Sequence, residues 1–127
     1  MQKLQESGEN YLETVLILQS KGKNVRSIDI ANELGYSKPS VSRAVGILKS
    51  NGYIIVDEGG YITLTQQGKA LAETMYERHR LLSRFFMELG VQEETAVADA
   101  CRIEHIISQE TFDRIKLHFW QIESTDR

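Results

Sequence analysis

The stretch of residues 27–65 constrains the fold of this chain most, because it places two short helices directly before a β-hairpin pattern. The first helix is predicted to begin at Ser27 and to end at Gly35. Ser37 then caps a second helix, in which Pro39 occupies the first turn, where a missing backbone N–H costs nothing. The apolar residues of the second helix recur at steps of three and four, as Val41, Ala44, Val45 and Leu48. This pattern predicts a helix-turn-helix.

The apolar spacing changes to that of strands after Asn51 and Gly52, which end the second helix. Residues 53–57 and 61–65 are rich in β-branched and aromatic side chains, and the segment 58–60 between them contains two glycines. Such a pair of short runs around a glycine turn is typical of a β-hairpin. A hairpin that directly follows a helix-turn-helix is the wing of a winged helix.

Helical spacing returns after Thr65, and the rest of the chain reads as helices over 66–89, 93–108 and 109–122. We therefore predict a mainly α protein with an N-terminal winged helix-turn-helix domain, residues 1–65, and a helical domain, residues 66–127. The first predicted helix of the second domain is over twenty residues long and has a broad apolar face. This surface suits dimerisation, with packing inside one chain as the alternative.

Composition favours a globular cytoplasmic protein. Of the 127 residues, 41% are hydrophobic and 26% are charged, and no apolar run approaches the roughly 18 residues of a membrane span. The start of the chain lacks the apolar core of a signal peptide. The net charge of −3 argues against a general polyanion binder, but residues 21–49 carry six basic residues against two acidic ones. A single cysteine excludes an internal disulfide and leaves a thiol available as a ligand.

The start of the second helix has the residue types that contact DNA. Serine hydroxyls and backbone amides at a helix N-terminus suit phosphate and base edges, and Arg43 suits bidentate contact to guanine. Lysines such as Lys21 and Lys23 are more suited to phosphate contacts. The alternative is an ordinary solvated, well-capped helix. The predicted DNA-binding residues are Ser37, Lys38, Pro39, Ser40, Ser42, Arg43 and Lys49.

A second set of functional residues stands at Cys101, Glu104 and His105. They lie in the helix predicted over 93–108, and at about 100° per residue their side chains fall on one side of it, within a fan of about 100°. A thiol, a carboxylate and an imidazole form an incomplete ligand set for a transition metal. The alternative is a small core cysteine, a solvated glutamate and an ordinary partly buried histidine.

The chain resembles the metal-dependent repressors related to the diphtheria toxin repressor and the manganese transport regulator. The resemblance runs from Glu9 to about Leu117. Its marks are the sequences Glu9-Asn10-Tyr11-Leu12-Glu13, Asp29-Ile30-Ala31 with Leu34, Ser40-Val41-Ser42, Leu64-Thr65 with Gly68, Arg78-His79-Arg80-Leu81-Leu82 and Ala100-Cys101-Arg102-Ile103-Glu104-His105. The last two of these together are specific.

The resemblance implies a homodimer that binds double-stranded, palindromic operator DNA when loaded with Mn(II) or Fe(II), and that represses metal uptake. At position 101 the cysteine resembles the iron-type branch of the family. At position 10 the family usually has aspartate or methionine, and Asn10 departs from this pattern. An amide oxygen ligates hard cations but adds no charge. The metal ligands that the resemblance implies are Asn10, Glu13, His79, Cys101, Glu104 and His105.

These implied ligands lie before and after the DNA-reading segment in the sequence, so metal binding is expected to link the reader to the dimerisation region. Two other functions are compatible with the residues alone. One is a metal-independent winged-helix regulator that senses a small molecule. The other is a metalloenzyme with Glu13 or Glu104 as general base. We expect no enzymatic activity, because the sequence shows no glycine-rich substrate loop and no additional acid/base pair.

Overall fold

A computed structural model describes residues 6–125 of the chain, which contain six helices and one two-stranded sheet. The chain forms two compact units, the first ending at Met75 and the second beginning at Tyr76. No helix within the described residues is long and apolar enough to cross a membrane. In chain order the elements are α1 Glu6–Ser20, α2 Ser27–Leu34, α3 Lys38–Ser50, β1 Ile54–Val56, β2 Ile62–Leu64, α4 Gln66–Glu88, α5 Glu93–Ile103 and α6 Gln109–Thr125.

The predicted helix-turn-helix is confirmed, and its local signals act as expected. Gly35 ends α2 with a φ of 71°, a conformation that glycine adopts without steric cost. The hydroxyl of Ser37 accepts a hydrogen bond from the backbone N–H of Ser40 at 3.3 Å and so caps α3. Pro39 lies in the first turn of α3, and the tight turn between Gly35 and Ser37 sets α3 beside α2.

The predicted hairpin is also present, with shorter strands than expected. β1 and β2 are antiparallel, with Ile54 opposite Leu64 and Val56 opposite Ile62. The carboxylate of Asp57 accepts a hydrogen bond from the N–H of Tyr61 at 2.9 Å and closes the turn. Ile62 also bridges to Val25, so the hairpin is attached to the segment before α2. These contacts hold the hairpin against the helix-turn-helix as its wing.

The core of the first unit is formed by the apolar faces of α1, α2 and α3 with one face of the hairpin. Its fully buried members include Leu12, Val15, Ile30, Val41 and Ile62. The first turns of α4 belong to the same core, since Ala72 is fully buried in it. The first compact unit therefore extends ten residues into α4.

The second unit packs the rest of α4 against α5 and α6 around a small aromatic core of Leu81, Leu82, Ala100, Phe112 and Phe119. Helix α5 ends at Ile103, which is five residues earlier than the periodicity predicts. The apolar spacing continues through Ile106 and Ile107, but the chain there forms turns instead of helix. A new helix, α6, then starts where the hydroxyl of Ser108 accepts a hydrogen bond from the N–H of Thr111 at 3.1 Å.

Candidate functional site

A fully buried carboxylate is the most unusual feature of the second unit. Glu104 follows the last residue of α5 and has a relative exposure of 0%. Its Oε2 atom lies 3.1 Å from Nδ1 of His79, on α4. Its Oε1 atom lies 3.2 Å from Nε2 of His105, in the turn after α5. The structure therefore brings together three of the predicted metal ligands, one from α4 and two from the end of α5.

The two histidines contact different oxygens of Glu104, and each histidine–carboxylate pair has the spacing of two ligands of a metal ion. Burying a carboxylate costs several kcal/mol unless positive charge or hydrogen bonds compensate for it. Two ligand atoms bound to one ion at about 2.1 Å and about 90° lie about 3 Å apart. The two nitrogen–oxygen distances around Glu104 match this separation. Nitrogen and oxygen ligands together suit first-row divalent metals such as manganese, iron and zinc.

Arg78 holds the segment that carries two of these ligands. Its side chain is buried, with a relative exposure of 8%. Its Nη1 donates hydrogen bonds to the carbonyl oxygens of Glu104 and Ile107, both at 3.0 Å. Its Nη2 donates to Oε1 of Gln109 at 2.9 Å, and the guanidinium lies over the ring of Phe112. One side chain thus fixes the turn between α5 and α6.

Sequence reasoning gave Arg78 no role, although a signal for it exists. Along α4, position 78 continues the inward stripe of Leu71 and Met75, which recurs at steps of three and four and leads on to Leu82. A charged residue at a core position requires buried hydrogen-bond acceptors. The periodicity alone therefore marks Arg78 as a residue with a specific set of partners, without showing which ones.

Cys101 lies on α5, about one turn before Glu104, and is exposed. The fan of about 100° assumed that the helix continues through residue 105, whereas α5 ends at Ile103 and His105 lies in the following turn. The thiol and the buried carboxylate therefore have different environments. The role of Cys101 as a ligand stays a prediction from the resemblance.

The two remaining predicted metal ligands lie on α1, in the first unit. Asn10 is partly buried and Glu13 is buried, and their spacing of three residues puts them on one side of the helix. The backbone carbonyl of Asn10 accepts a hydrogen bond from the hydroxyl of Thr14 at 2.8 Å. A buried glutamate on a helix whose apolar face belongs to the core is consistent with a ligand, and its role also stays a prediction.

The predicted DNA-binding residues lie at the start of α3 and along its exposed sides, in the first unit. All seven are exposed, and they are Ser37, Lys38, Pro39, Ser40, Ser42, Arg43 and Lys49. Helix α3 contains three basic residues and no acidic residue. Ile47, which sequence reasoning did not single out, is also on this surface and is 52% exposed.

A winged helix-turn-helix followed by a helical unit with a nitrogen- and oxygen-rich ligand cluster is the architecture of a metal-responsive DNA-binding regulator. Comparison with protein families agrees with this class. Residues 3–60 match the model described as iron dependent repressor, N-terminal DNA binding domain. Residues 65–124 match the model described as iron dependent repressor, metal binding and dimerisation domain.

Individual relatives identify the family. The chain is 36% identical over 105 residues to the transcriptional regulator MntR of Salmonella typhimurium, covering 83% of this chain and 67% of the relative. It is 34% identical over 109 residues to the HTH-type transcriptional regulator MntR of Lysinibacillus sphaericus, covering 86% and 78%. It is 33% identical over 116 residues to the iron-dependent repressor IdeR of Mycobacterium tuberculosis, covering 91% and 50%. The chain belongs to the iron-dependent repressor family of transcriptional regulators, as the sequence resemblance implied.

Solved structures of metal-dependent regulators have the same fold. The manganese regulator SloR aligns with a TM-score of 0.80 at 26% identity, covering 88% of this chain and 53% of that one. A manganese-dependent transcriptional repressor in complex with manganese aligns with a TM-score of 0.75 at 29% identity, covering 87% and 51%. The chain thus spans about half the length of these structures and about two thirds of MntR from Salmonella.

Proposed function

We propose that this chain is a transcriptional repressor that binds operator DNA as a homodimer when it is loaded with Mn(II) or Fe(II). The observation that carries the proposal is the buried Glu104 carboxylate between His79 and His105. It lies in the part of the chain that matches a metal-binding and dimerisation domain. The DNA-reading surface of α3 lies in the part that matches a DNA-binding domain. In this proposal the chain therefore contains both a metal-sensing site and a DNA-binding surface.

His79, Glu104 and His105 are the proposed core of the metal site. Asn10, Glu13 and Cys101 are added on the strength of the resemblance, as ligands from α1 and from α5. A divalent ion supplies the positive charge that a buried carboxylate needs, and it accepts the imidazole lone pairs. Arg78 holds the carbonyl groups of Glu104 and Ile107 in place and so supports the turn that carries His105.

The proposed response to metal follows from the order of these residues in the sequence. Asn10 and Glu13 precede the helix-turn-helix, whereas the other ligands follow it. A metal ion that binds both groups favours one conformation of the regulator over others, and it can do so only by the difference in its affinity for those conformations. In this proposal the favoured conformation gives the two recognition helices of a dimer the spacing of a palindromic operator.

The proposed partner is double-stranded DNA with two half-sites. The proposed location is the cytoplasm. Arg43 contacts a guanine, and Lys38 and Lys49 contact phosphates. The hydroxyl of Ser42 and the helix N-terminus around Ser37 and Ser40 also face the duplex. In this proposal the chain has no catalytic role, since metal serves to select a conformation.

The test is metal-dependent DNA binding by the purified protein. An operator is first selected from a randomised duplex library with protein loaded with Mn(II), and affinity is then measured by fluorescence anisotropy with Mn(II) or with chelator. We expect binding with metal and a loss of at least a hundredfold without it. The His105→Ala variant should lose the response because one nitrogen ligand is gone.

The matched control is His118→Ala, which removes an exposed imidazole from α6 in the same unit. This variant should bind Mn(II) and DNA like the parent protein. If chelation leaves operator affinity unchanged in the parent protein, the proposed metal response is wrong. If His105→Ala retains the full response, Glu104 and its two histidines are not the sensor.

A further inference from the structure

The outer face of α3 has a composition that its own packing does not explain. At about 100° per residue, Pro39, Arg43, Gly46, Ile47 and Ser50 fall within a fan of about 100°. All five are exposed. On the opposite side of the helix, the buried residues Val41, Val45 and Leu48 face the core. The fan is therefore the part of α3 that a partner of the first unit meets.

Gly46 lies at one edge of this fan, where glycine has no structural purpose in the described chain. Its φ is not positive, so the backbone conformation is open to any residue. A Cβ atom added there would meet no atom within 4 Å. Gly68 shows the contrast, since a Cβ at that position would overlap the backbone carbonyl of Tyr53. Glycine inside a helix is destabilising relative to alanine, and at Gly46 nothing within the fold compensates for this cost.

Ile47 lies one turn after Arg43 on the same face and is 52% exposed. A single exposed isoleucine is common on protein surfaces. This one, however, lies on the same fan as Gly46 and one turn after Arg43, a cation suited to guanine. Its branched side chain has few rotamers in a helix, so its methyl groups are presented in nearly fixed positions.

The charge of α3 indicates which kind of partner binds its outer face. The helix carries Lys38, Arg43 and Lys49 and no acidic residue. A polyanion with a groove as wide as a helix fits these features, and the DNA major groove presents thymine methyl groups to apolar side chains. The family match of residues 3–60 to a DNA-binding domain agrees with duplex DNA as the partner.

We propose that Gly46 and Ile47 form a specificity element, in which Gly46 lets the axis of α3 approach the duplex closely and Ile47 contacts a thymine methyl group next to the base pair read by Arg43. This inference rests on the proposed function of α3 in DNA binding. The missing side chain at position 46 exposes helix backbone to the duplex. The close approach then brings the short isoleucine side chain to the floor of the groove.

The first experiment tests the methyl contact by combining base replacements in the operator with substitutions of Ile47. The probe is the operator selected with Mn(II)-loaded protein, with each thymine replaced singly by uracil, which removes one methyl group. For the parent protein we expect one position in each half-site to lose about fourfold in affinity, the factor that corresponds to one buried methyl group. For Ile47→Ala the same replacement should have no effect. Ile47→Val, which keeps the branched carbon, should restore the sensitivity.

The second experiment tests the close approach through two effects of opposite sign. Gly46→Ala should raise the melting temperature by about 4 °C, because alanine favours the helix. The same change should weaken operator binding at least tenfold, because the added methyl group stands between helix and duplex. Since the variant is expected to be more stable, a loss of binding does not reflect misfolding. Thr74→Ala, on the exposed side of α4, is the control and should leave operator affinity unchanged.

The outcomes separate this inference from the proposed function. If the parent protein selects no operator with Mn(II), both the proposed function and this inference fail. If the parent protein binds but Gly46→Ala binds as tightly, the close approach is wrong. Equal sensitivity to uracil in the parent protein and in Ile47→Ala, or no sensitive thymine at all, overturns the methyl contact while metal-dependent binding stands.

Discussion

The proposed DNA-reading surface of the first unit and the histidine–glutamate cluster of the second unit lie in opposite environments. In the first unit, every predicted DNA contact on α3 is exposed, and the core beneath consists of apolar residues such as Val41 and Leu48. In the second unit, the candidate metal ligand Glu104 is fully buried, and Arg78 beside it is nearly so. The proposed DNA contacts thus lie on the surface of the first unit, whereas the candidate metal cluster lies in the interior of the second.

This difference determines how substitutions should act in each unit. Changes at exposed positions usually alter stability by about 0.5 kcal/mol or less, so α3 can change its DNA preference without changing the fold. Removing a member of a buried polar network leaves its partners unsatisfied and costs several kcal/mol. The metal site therefore cannot vary independently of the stability of its unit.

The largest expected effect tests the interior network. Arg78→Met should lower the free energy of unfolding of the second unit by about 3 kcal/mol, because the carbonyl groups of Glu104 and Ile107 lose their donors in a buried place. Unfolding in urea, followed by the fluorescence of the single tryptophan, Trp120 on α6, measures this.

The control for this prediction is Arg102→Met. Arg102 is exposed on α5 and pairs only loosely with Asp99, at 3.4 Å. It should change the free energy of unfolding by less than about 0.5 kcal/mol. Equal effects of the two substitutions would show that the hydrogen bonds of Arg78 do not stabilise the turn, and the contrast between the units would lose its main support.

The next effect tests the surface of the first unit. Arg43→Ala should leave the free energy of unfolding unchanged within about 0.5 kcal/mol, because its side chain is exposed. It should weaken binding to the selected operator by about 1–3 kcal/mol, and binding to random duplex by less. Anisotropy titrations with both duplexes, at one salt concentration, measure the difference. If the losses on both duplexes are equal, Arg43 contacts phosphate and does not read a base.

The same contrast explains which parts of the molecule could be predicted from sequence. The first unit is specified by local signals, since the cap at Ser37, the turn at Gly35 and the change to strand spacing after Gly52 each act within a few residues. Local signals are what a single sequence shows best. The helix-turn-helix and its wing were therefore predicted correctly, apart from the length of the strands.

The metal site depends on contacts between distant parts of the chain. His79 and Glu104 are twenty-five residues apart, and only the family resemblance suggested that they belong together. Apolar spacing extended α5 through Ile107, but the helix ends at Ile103, and Arg78 donates to the carbonyl groups of Glu104 and Ile107 in the turn that follows. The fan of about 100° that grouped Cys101 with Glu104 and His105 relied on that longer helix. Arg78 contacts the turn that carries Glu104 and His105, and its helical spacing marked it as buried without showing these partners.

The smallest expected effect concerns an acidic residue in the first unit that serves the fold rather than DNA. Asp29 accepts a hydrogen bond from the backbone N–H of Arg26 at 2.8 Å and pairs with Lys23 at 3.2 Å. The hydrogen bond from Arg26, followed by the interaction with Lys23, lowers the pKa of the Asp29 carboxyl below its usual value of 3.8. The charged carboxylate is therefore favoured by folding.

A lowered pKa in the folded state contributes stability above the unfolded pKa, and this contribution disappears as the pH falls through the lower, folded value. Asp29→Asn keeps an oxygen acceptor but removes the charge, so at pH 7 it should lower the free energy of unfolding by about 0.5 kcal/mol. The difference from the parent protein should shrink as the pH falls below about 4. Urea unfolding followed by far-ultraviolet circular dichroism at several pH values measures it. A difference that stays constant down to the lowest pH at which the protein folds would show that the charge of Asp29 is not the cause.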